Sequence, residues 1–377
     1  MIYLDYAATS YRKPREVYEA ASNAMQYLSA NPGRGGHALS VRAGELVYET
    51  REKLSTLFHI DSPERLAFFP NTTAALNAGI KGVLRRGDHA VVSSMEHNSV
   101  LRPLAELKRR GIIDYTVVES DEKGELTPWD FAKALRPNTR LVLCTHASNV
   151  CGNYYDIAAI SQLTRREKVY FMVDAAQSAG ILNIDASLCD LLAFPGHKGL
   201  YGPQGTGGLY VREGITPGTL IEGGTGSQSE LLYQPENLPD RLESGTQNVP
   251  AIAGLGAAAD FILKEGIDAI FAHEKMLTNY FCENIQNIPG IEIYGSKNRV
   301  GVTALNIKNL DAIAVADILD RDFSIAVRSG LHCAPLAHRS LGTLETGCVR
   351  FSFGYFTTKK DLDRAIFALH KIASKGV

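Results

Sequence analysis

Tyr170-Phe171-Met172-Val173-Asp174-Ala175-Ala176-Gln177, followed by Gly196-His197-Lys198-Gly199, decides how the rest of the chain is read. An apolar run short enough for a buried strand, Tyr170–Val173, ends in an acid. A lysine flanked by glycines follows 24 residues after that acid. A charge that closes an apolar strand is costly without a partner, and a glycine-rich turn lets a lysine approach closely.

Outward from this pair, residues 16–214 alternate between strand-like and helix-like segments. Strands are expected at Leu66–Phe69, His89–Ser93, Tyr115–Val118, Leu141–Thr145 and Tyr170–Val173. Helices are expected at Ala74–Leu84, Ser99–Arg110, Pro128–Leu135 and Ile157–Arg166. Strand, crossover helix, strand is the pattern of an α/β fold with a mostly parallel sheet covered on both faces. Thr72, His97, Asn149 and Asp174 follow such strands and would gather at the carboxyl edge, where these sheets bind ligands.

Residues 217–247 are rich in Gly, Ser and Pro and read as an irregular loop. One long helix is expected from near Pro250 past Phe281. Beyond it, strands at Ile291–Tyr294, Val302–Ile307 and Ser324–Val327 with helices at Ala312–Asp320 and Lys359–Ser374 suggest a smaller α+β domain. With 377 residues a single core is too large, so two domains are expected: 15–250, and 251–377 together with 1–14.

Lys and Arg total 39 against 41 Asp and Glu, which argues against nucleic acid or a membrane surface as a partner. No apolar run reaches transmembrane length, and the first residues lack the features of a secretory signal. The six cysteines are scattered without a C-x-x-C pair, so neither a disulfide framework nor a metal site is suggested. A reducing cytoplasm is the expected compartment.

Pyridoxal phosphate chemistry needs a lysine amine to hold the aldehyde and a carboxylate to keep the ring nitrogen protonated, the roles open to Lys198 and Asp174. Gln177 could donate to the phenolic oxygen, and His97 could cover the ring and carry protons. Asn71-Thr72-Thr73 before a helix could bind phosphate, although a plain cap is the commoner use. Cys333, in Arg328-Ser329-Gly330-Leu331-His332-Cys333-Ala334, would sit on a turn where Arg328 or His332 favours the thiolate. Arg350 could clamp a carboxylate. Each of these residues alone has an ordinary structural use.

The ordered series Asn71-Thr72-Thr73, Glu96-His97-Asn98, Ser148-Asn149-Val150, Asp174–Ser178, Gly196-His197-Lys198, Glu243-Ser244-Gly245-Thr246 and Arg328–Cys333 resembles the class V aminotransferase-like enzymes. Within them the chain is similar to the cysteine desulfurases and selenocysteine lyases. The resemblance implies pyridoxal 5'-phosphate fold type I: a large domain with a seven-stranded sheet, a small C-terminal domain, and a homodimer with shared active sites. It implies Lys198 as the cofactor lysine, Asp174 at the ring nitrogen, Gln177 at the phenolic oxygen and His97 on the ring. Thr72, Thr73 and His197 would take the phosphate, and Thr246 would reach the phosphate in the other subunit. Asn149 would meet both cofactor and substrate, Arg328 and Arg350 would meet the substrate, and Cys333 would attack its sulfur. L-cysteine would become L-alanine, with the sulfur passed to an acceptor protein, as in iron–sulfur cluster assembly. L-selenocysteine lyase and an ordinary aminotransferase are the alternatives. The short cysteine loop looks like the SUF-type (group II) desulfurases, although Leu331 stands where a histidine is usual and Ala74 where a glutamate is common.

Overall fold

The computed structural model of the chain describes residues 1–33 and 36–376, the side chains of 375 and 376 excepted. A two-residue strand, β1 (Ile2–Tyr3), opens it. The large sheet contains β2 (Leu66–Phe69), β3 (His89–Ser93), β4 (Asp114–Val118), β5 (Thr139–Thr145), β6 (Tyr170–Asp174), β7 (Leu191–Pro195) and β8 (Gly207–Val211). Their order is β2-β8-β7-β6-β5-β3-β4, and all are parallel except β8. All five residues of β3 and of β7 are buried, as both-face coverage requires.

Side-chain alternation feeds two cores. Phe171, Val173, Leu192 and Phe194 enter one apolar cluster, while Met172, Leu191 and Ala193 enter the cluster on the opposite face. Each large side chain so buried contributes roughly 2 kcal/mol. On one side lie α1 (Arg15–Tyr27), α2 (Ala38–Leu57), α5 (Pro128–Ala134), α6 (Ile157–Arg166) and α7 (Val249–Glu265); on the other lie α3 (Thr72–Val83) and α4 (Asn98–Arg109). Local caps set the starts: Asp156 accepts from Ala159 N at 2.9 Å, and Thr127 with Asp130 forms a capping box.

The long helix expected from Pro250 is two helices, α7 and α8 (Ile267–Ile285). Gly266 separates them with φ +85°, a conformation that favours glycine, although the apolar period continues across it. The remaining strands are β9 (Ile291–Tyr294), β10 (Val302–Ile307), β11 (Ile325–Ala326), β12 (Arg328–Gly330) and β13 (Cys348–Ser352). Four of them form an antiparallel sheet ordered β12-β13-β10-β9, backed by α8, α9 (Ala312–Phe323) and α11 (Lys359–Gly376) around a separate core. A short helix, α10 (Pro335–Ser340), follows the cysteine turn.

Residues 2–10 run between these bodies. β1 pairs with β11, Leu4 O accepts from Ser352 N at 2.8 Å, and Ser10 N donates to His197 O at 2.9 Å. Among the described residues no helix is long and apolar enough to cross a membrane.

Candidate active site

The carboxyl ends of the parallel strands deliver the expected residues to one edge. β2 leads to Asn71–Thr73, β3 to His97, β5 to Asn149, β6 ends on Asp174 itself, and β7 leads to His197 and Lys198. The strand order reverses around β3, the position at which such sheets open a crevice.

Asp174 is buried, and its Oδ1 accepts from Ala176 N at 2.9 Å. Burial raises its pKa to about 6, and nearby Lys198 opposes the rise. Burial also lowers Lys198 to about 8, helped by the Arg350 charge. The two turns of the opening motif abut. A Cβ on Gly180 would lie 2.4 Å from Gly199 O, and one on Gly199 would lie 2.5 Å from Ala179 O. Only glycine lets these backbones meet, which keeps Lys198 beside the residues that follow Asp174.

His97 caps α4. Its Nδ1 accepts from Ser99 N at 3.0 Å, so the neutral ring carries its proton on Nε2. Burial, then Lys198 and Arg328, lower its pKa to about 4. Ser99 also lies 2.8 Å from Thr73 Oγ1 and 2.9 Å from His97 Nδ1, so it links the starts of α3 and α4. Asn71, not a threonine, caps α3: its Oδ1 accepts from Ala74 N at 2.9 Å. The N–H groups of Thr72 and Thr73 have no helical acceptor and face the end where an anion is favoured. His197 is lowered to about 4 by burial, and its Nδ1 lies 3.0 Å from Thr9 Oγ1.

Gln177 donates from Nε2 to Ala7 O at 2.9 Å, so one of its amide hydrogens holds the N-terminal segment. Asn149 donates from Nδ2 to His332 O at 2.7 Å, while its own carbonyl accepts from Arg350 Nη1 at 3.0 Å. Arg350 pairs with Asp5 at 2.7 Å, and its buried Nε has no hydrogen-bond partner among the described residues. Arg328 stands opposite Arg350 in the β12–β13 register. Like charges so placed repel unless an anion lies between them. Asp5, Ser99 and strand β13 escaped the sequence reading.

Cys333 is the exposed one of six cysteines. His332 and Cys333 have φ +49° and +57°, a left-handed pair that costs roughly 1–3 kcal/mol per residue. Asn149 on the His332 carbonyl and Asn98 N on the Cys333 carbonyl, at 2.7 Å, hold the pair in place. Arg328 Nη2 lies 3.9 Å from Cys333 Sγ. Thr246 is elsewhere: it is exposed and lines a cavity of about 270 Å³ with Pro70, Ala74 and Gly205. Buried Glu243, three residues before it, pairs with Arg51 at 2.7 Å and anchors that segment to the sheet.

Residues 2–365 match the model of the family "Aminotransferase class-V". The chain belongs to this family. A relative from Methanothermobacter thermautotrophicus named "Probable cysteine desulfurase" is 38% identical over 100% of this chain and 95% of its own length. An apo structure of a cysteine desulfurase from Thermococcus onnurineus NA1 superposes with TM-score 0.90 at 31% identity, covering 99% of this chain and 95% of its own. A cysteine desulfurase structure from Escherichia coli gives TM-score 0.90 at 26% identity, with 100% and 95% covered. The chain thus falls among the cysteine desulfurases of the class-V aminotransferases, whose members depend on pyridoxal phosphate.

Proposed function

We propose that this protein is a cysteine desulfurase that uses pyridoxal 5'-phosphate at Lys198. The observation that carries the reading is the docking of the Cys333 turn onto Asn98 N at the start of α4 and onto Asn149, beside His97, which itself feels the Lys198 and Arg350 charges. The donor set fits the cofactor: a buried acid, a lysine whose amine is partly neutral near pH 8, and open N–H groups at the start of α3. When bound, the cofactor supplies an aldehyde for the lysine and a ring that withdraws electrons from the substrate α-carbon.

Asp174 would hold the ring nitrogen protonated, and a cation there favours its charged form. His97 would cover the ring, Gln177 would donate its remaining amide hydrogen, and Thr72, Thr73 and His197 would hold the phosphate. Arg350, through its unpartnered Nε, and Arg328 would take the carboxylate of L-cysteine, with Asn149 fixing the cysteine turn beside it. Lys198 Nζ moves the α-proton, and neutral His97 Nε2 exchanges a proton with the thiol. Cys333 Sγ forms a bond to the substrate sulfur as the substrate C–S bond breaks. The products are L-alanine and a Cys333 persulfide. A homodimer in which Thr246 faces the partner's phosphate, and an acceptor protein for the persulfide, complete the proposal. The compact turn at Cys333 supports the SUF-type group. The packing of α7 into the large-sheet core supports a domain boundary at Gly266 rather than at 250.

The test follows alanine and Cys333 persulfide together after L-cysteine is added. Cys333→Ala should form neither while cysteine still perturbs the cofactor's visible absorption. Normal sulfide release by that variant would defeat the proposal, and a 2-oxo acid product would indicate transamination. A far higher rate on L-selenocysteine would reassign the substrate.

A further inference from the structure

Beneath the cysteine turn, His332, His338 and Cys348 bring one ligand atom each to within 4.8 Å of one another, and all three side chains are buried. His332 Nε2 lies 3.4 Å from Arg328 O, an acceptor only, so the neutral ring carries its proton there and turns a lone pair outward from Nδ1. That Nδ1 lies 3.3 Å from His338 Nε2 and 3.9 Å from Cys348 Sγ. On the far side of its ring, His338 Nδ1 lies 2.7 Å from Thr343 Oγ1, whose hydroxyl can donate to His338 O at 3.4 Å. With Nδ1–H given to Thr343, His338 also turns a lone pair toward the common point.

We propose that His332, His338 and Cys348 form a binding site for a zinc-class cation. Two nitrogens at ~2.1 Å from a tetrahedral zinc stand about 3.4 Å apart, close to the separation found here, and the sulfur, 3.9 Å from one nitrogen and within 4.8 Å of the other, must close to about 3.6 Å. Each histidine gives its other N–H to a carbonyl or hydroxyl, the outer-shell arrangement that orients metal-binding imidazoles. Burial pushes the Cys348 thiol up to about 12, with Arg350, two residues along the same strand, opposing the rise, so the cation itself must displace the thiol proton to solvent on binding. Three protein ligands leave one position for water. The ligands come from a turn, a helix and a strand, spaced 6 and 10 residues apart, so no sequence motif announces them.

The test uses full-length, cofactor-loaded Cys333→Ala protein, which lacks the exposed thiol that could compete. After chelator treatment, zinc is titrated against a chromophoric chelator and counted per chain by mass spectrometry. One zinc per chain is expected. Cobalt(II) should show thiolate charge-transfer absorption that Cys348→Ala abolishes. Thr343→Val, which leaves every ligand in place, should weaken binding ~10-fold, as outer-shell changes do. Circular dichroism confirms that each variant is folded. Less than half an equivalent of zinc in the parent, or binding unchanged by Cys348→Ala, overturns the site. In that case the cluster is a hydrogen-bond chain in which His338 donates from Nε2 to His332.

Discussion

Two of the described arginines are buried beside carboxylates, and they are used differently. Arg51 donates to both oxygens of Glu243, at 2.7 and 3.1 Å, and to Leu66 O, while Glu243 also accepts from Phe68 N. Arg350 gives one bond each to Asp5 and Asn149 O, and its Nε is left without a partner. Asp5 is partly open to solvent, whereas Glu243 is not. The first pair is saturated and fastens the segment before Thr246 to the sheet. The second keeps donors in reserve, with a like charge from Arg328 opposite, which is the arrangement an incoming carboxylate relieves.

Removing each arginine should therefore damage different properties. Arg350→Met should lower kcat/KM for L-cysteine about 100- to 1000-fold, the worth of two charge-assisted hydrogen bonds, with little change in melting temperature because water reaches Asp5. Steady-state alanine formation and calorimetry measure the two effects; a large loss of stability with normal kcat/KM would erase the contrast. Arg51→Met should do the reverse. It strands a buried carboxylate and should cost roughly 3–5 kcal/mol in denaturant unfolding, while folded protein keeps most of its kcat.

A buried carboxyl with no cation beside it sharpens the comparison. Glu274 lies within 3.4 Å of the Tyr201 hydroxyl, its Oε2 has no hydrogen-bond partner among the described residues, and burial raises its pKa to about 8. Its folded pKa is above the unfolded value, so its contribution is intact below pH ~4.5 and declines as pH rises toward 8. Glu274→Gln should flatten that part of the stability–pH curve, an effect of a few kcal/mol at most. An unchanged slope in urea unfolding between pH 5 and 8 would show that Glu274 is ionised in the folded protein.

The candidate edge was legible because parallel strands advertise themselves. Apolar runs ending in Asp174, or followed by His97, Asn149 and Lys198, need only a periodicity of two and a turn to place their last residues together. What stayed hidden lacks that signal. β13 carries Arg350 at its centre, so its hydrophobic pattern breaks at the strand's one charged residue. The break at Gly266 is masked by an apolar period that continues on both sides. Asp5 and Ser99 act through partners remote in sequence, and the Thr72–Thr73 stretch reads as a cap although Asn71 does that work. The triad of His332, His338 and Cys348 exists only once a turn, a helix and a strand are folded against each other.

The first ten residues have a mechanical consequence. They pair with β11, hold Arg350 through Asp5, receive the Gln177 amide at Ala7 and meet His197 at Thr9 and Ser10. This short stretch works as a tie rod between the sheet that carries the lysine and the sheet that carries the arginines. Any motion that parts the two sheets must load it, and a force applied at Ile2, itself part of the small-domain core, is passed through Asp5 and Ala7 to Arg350 and Gln177.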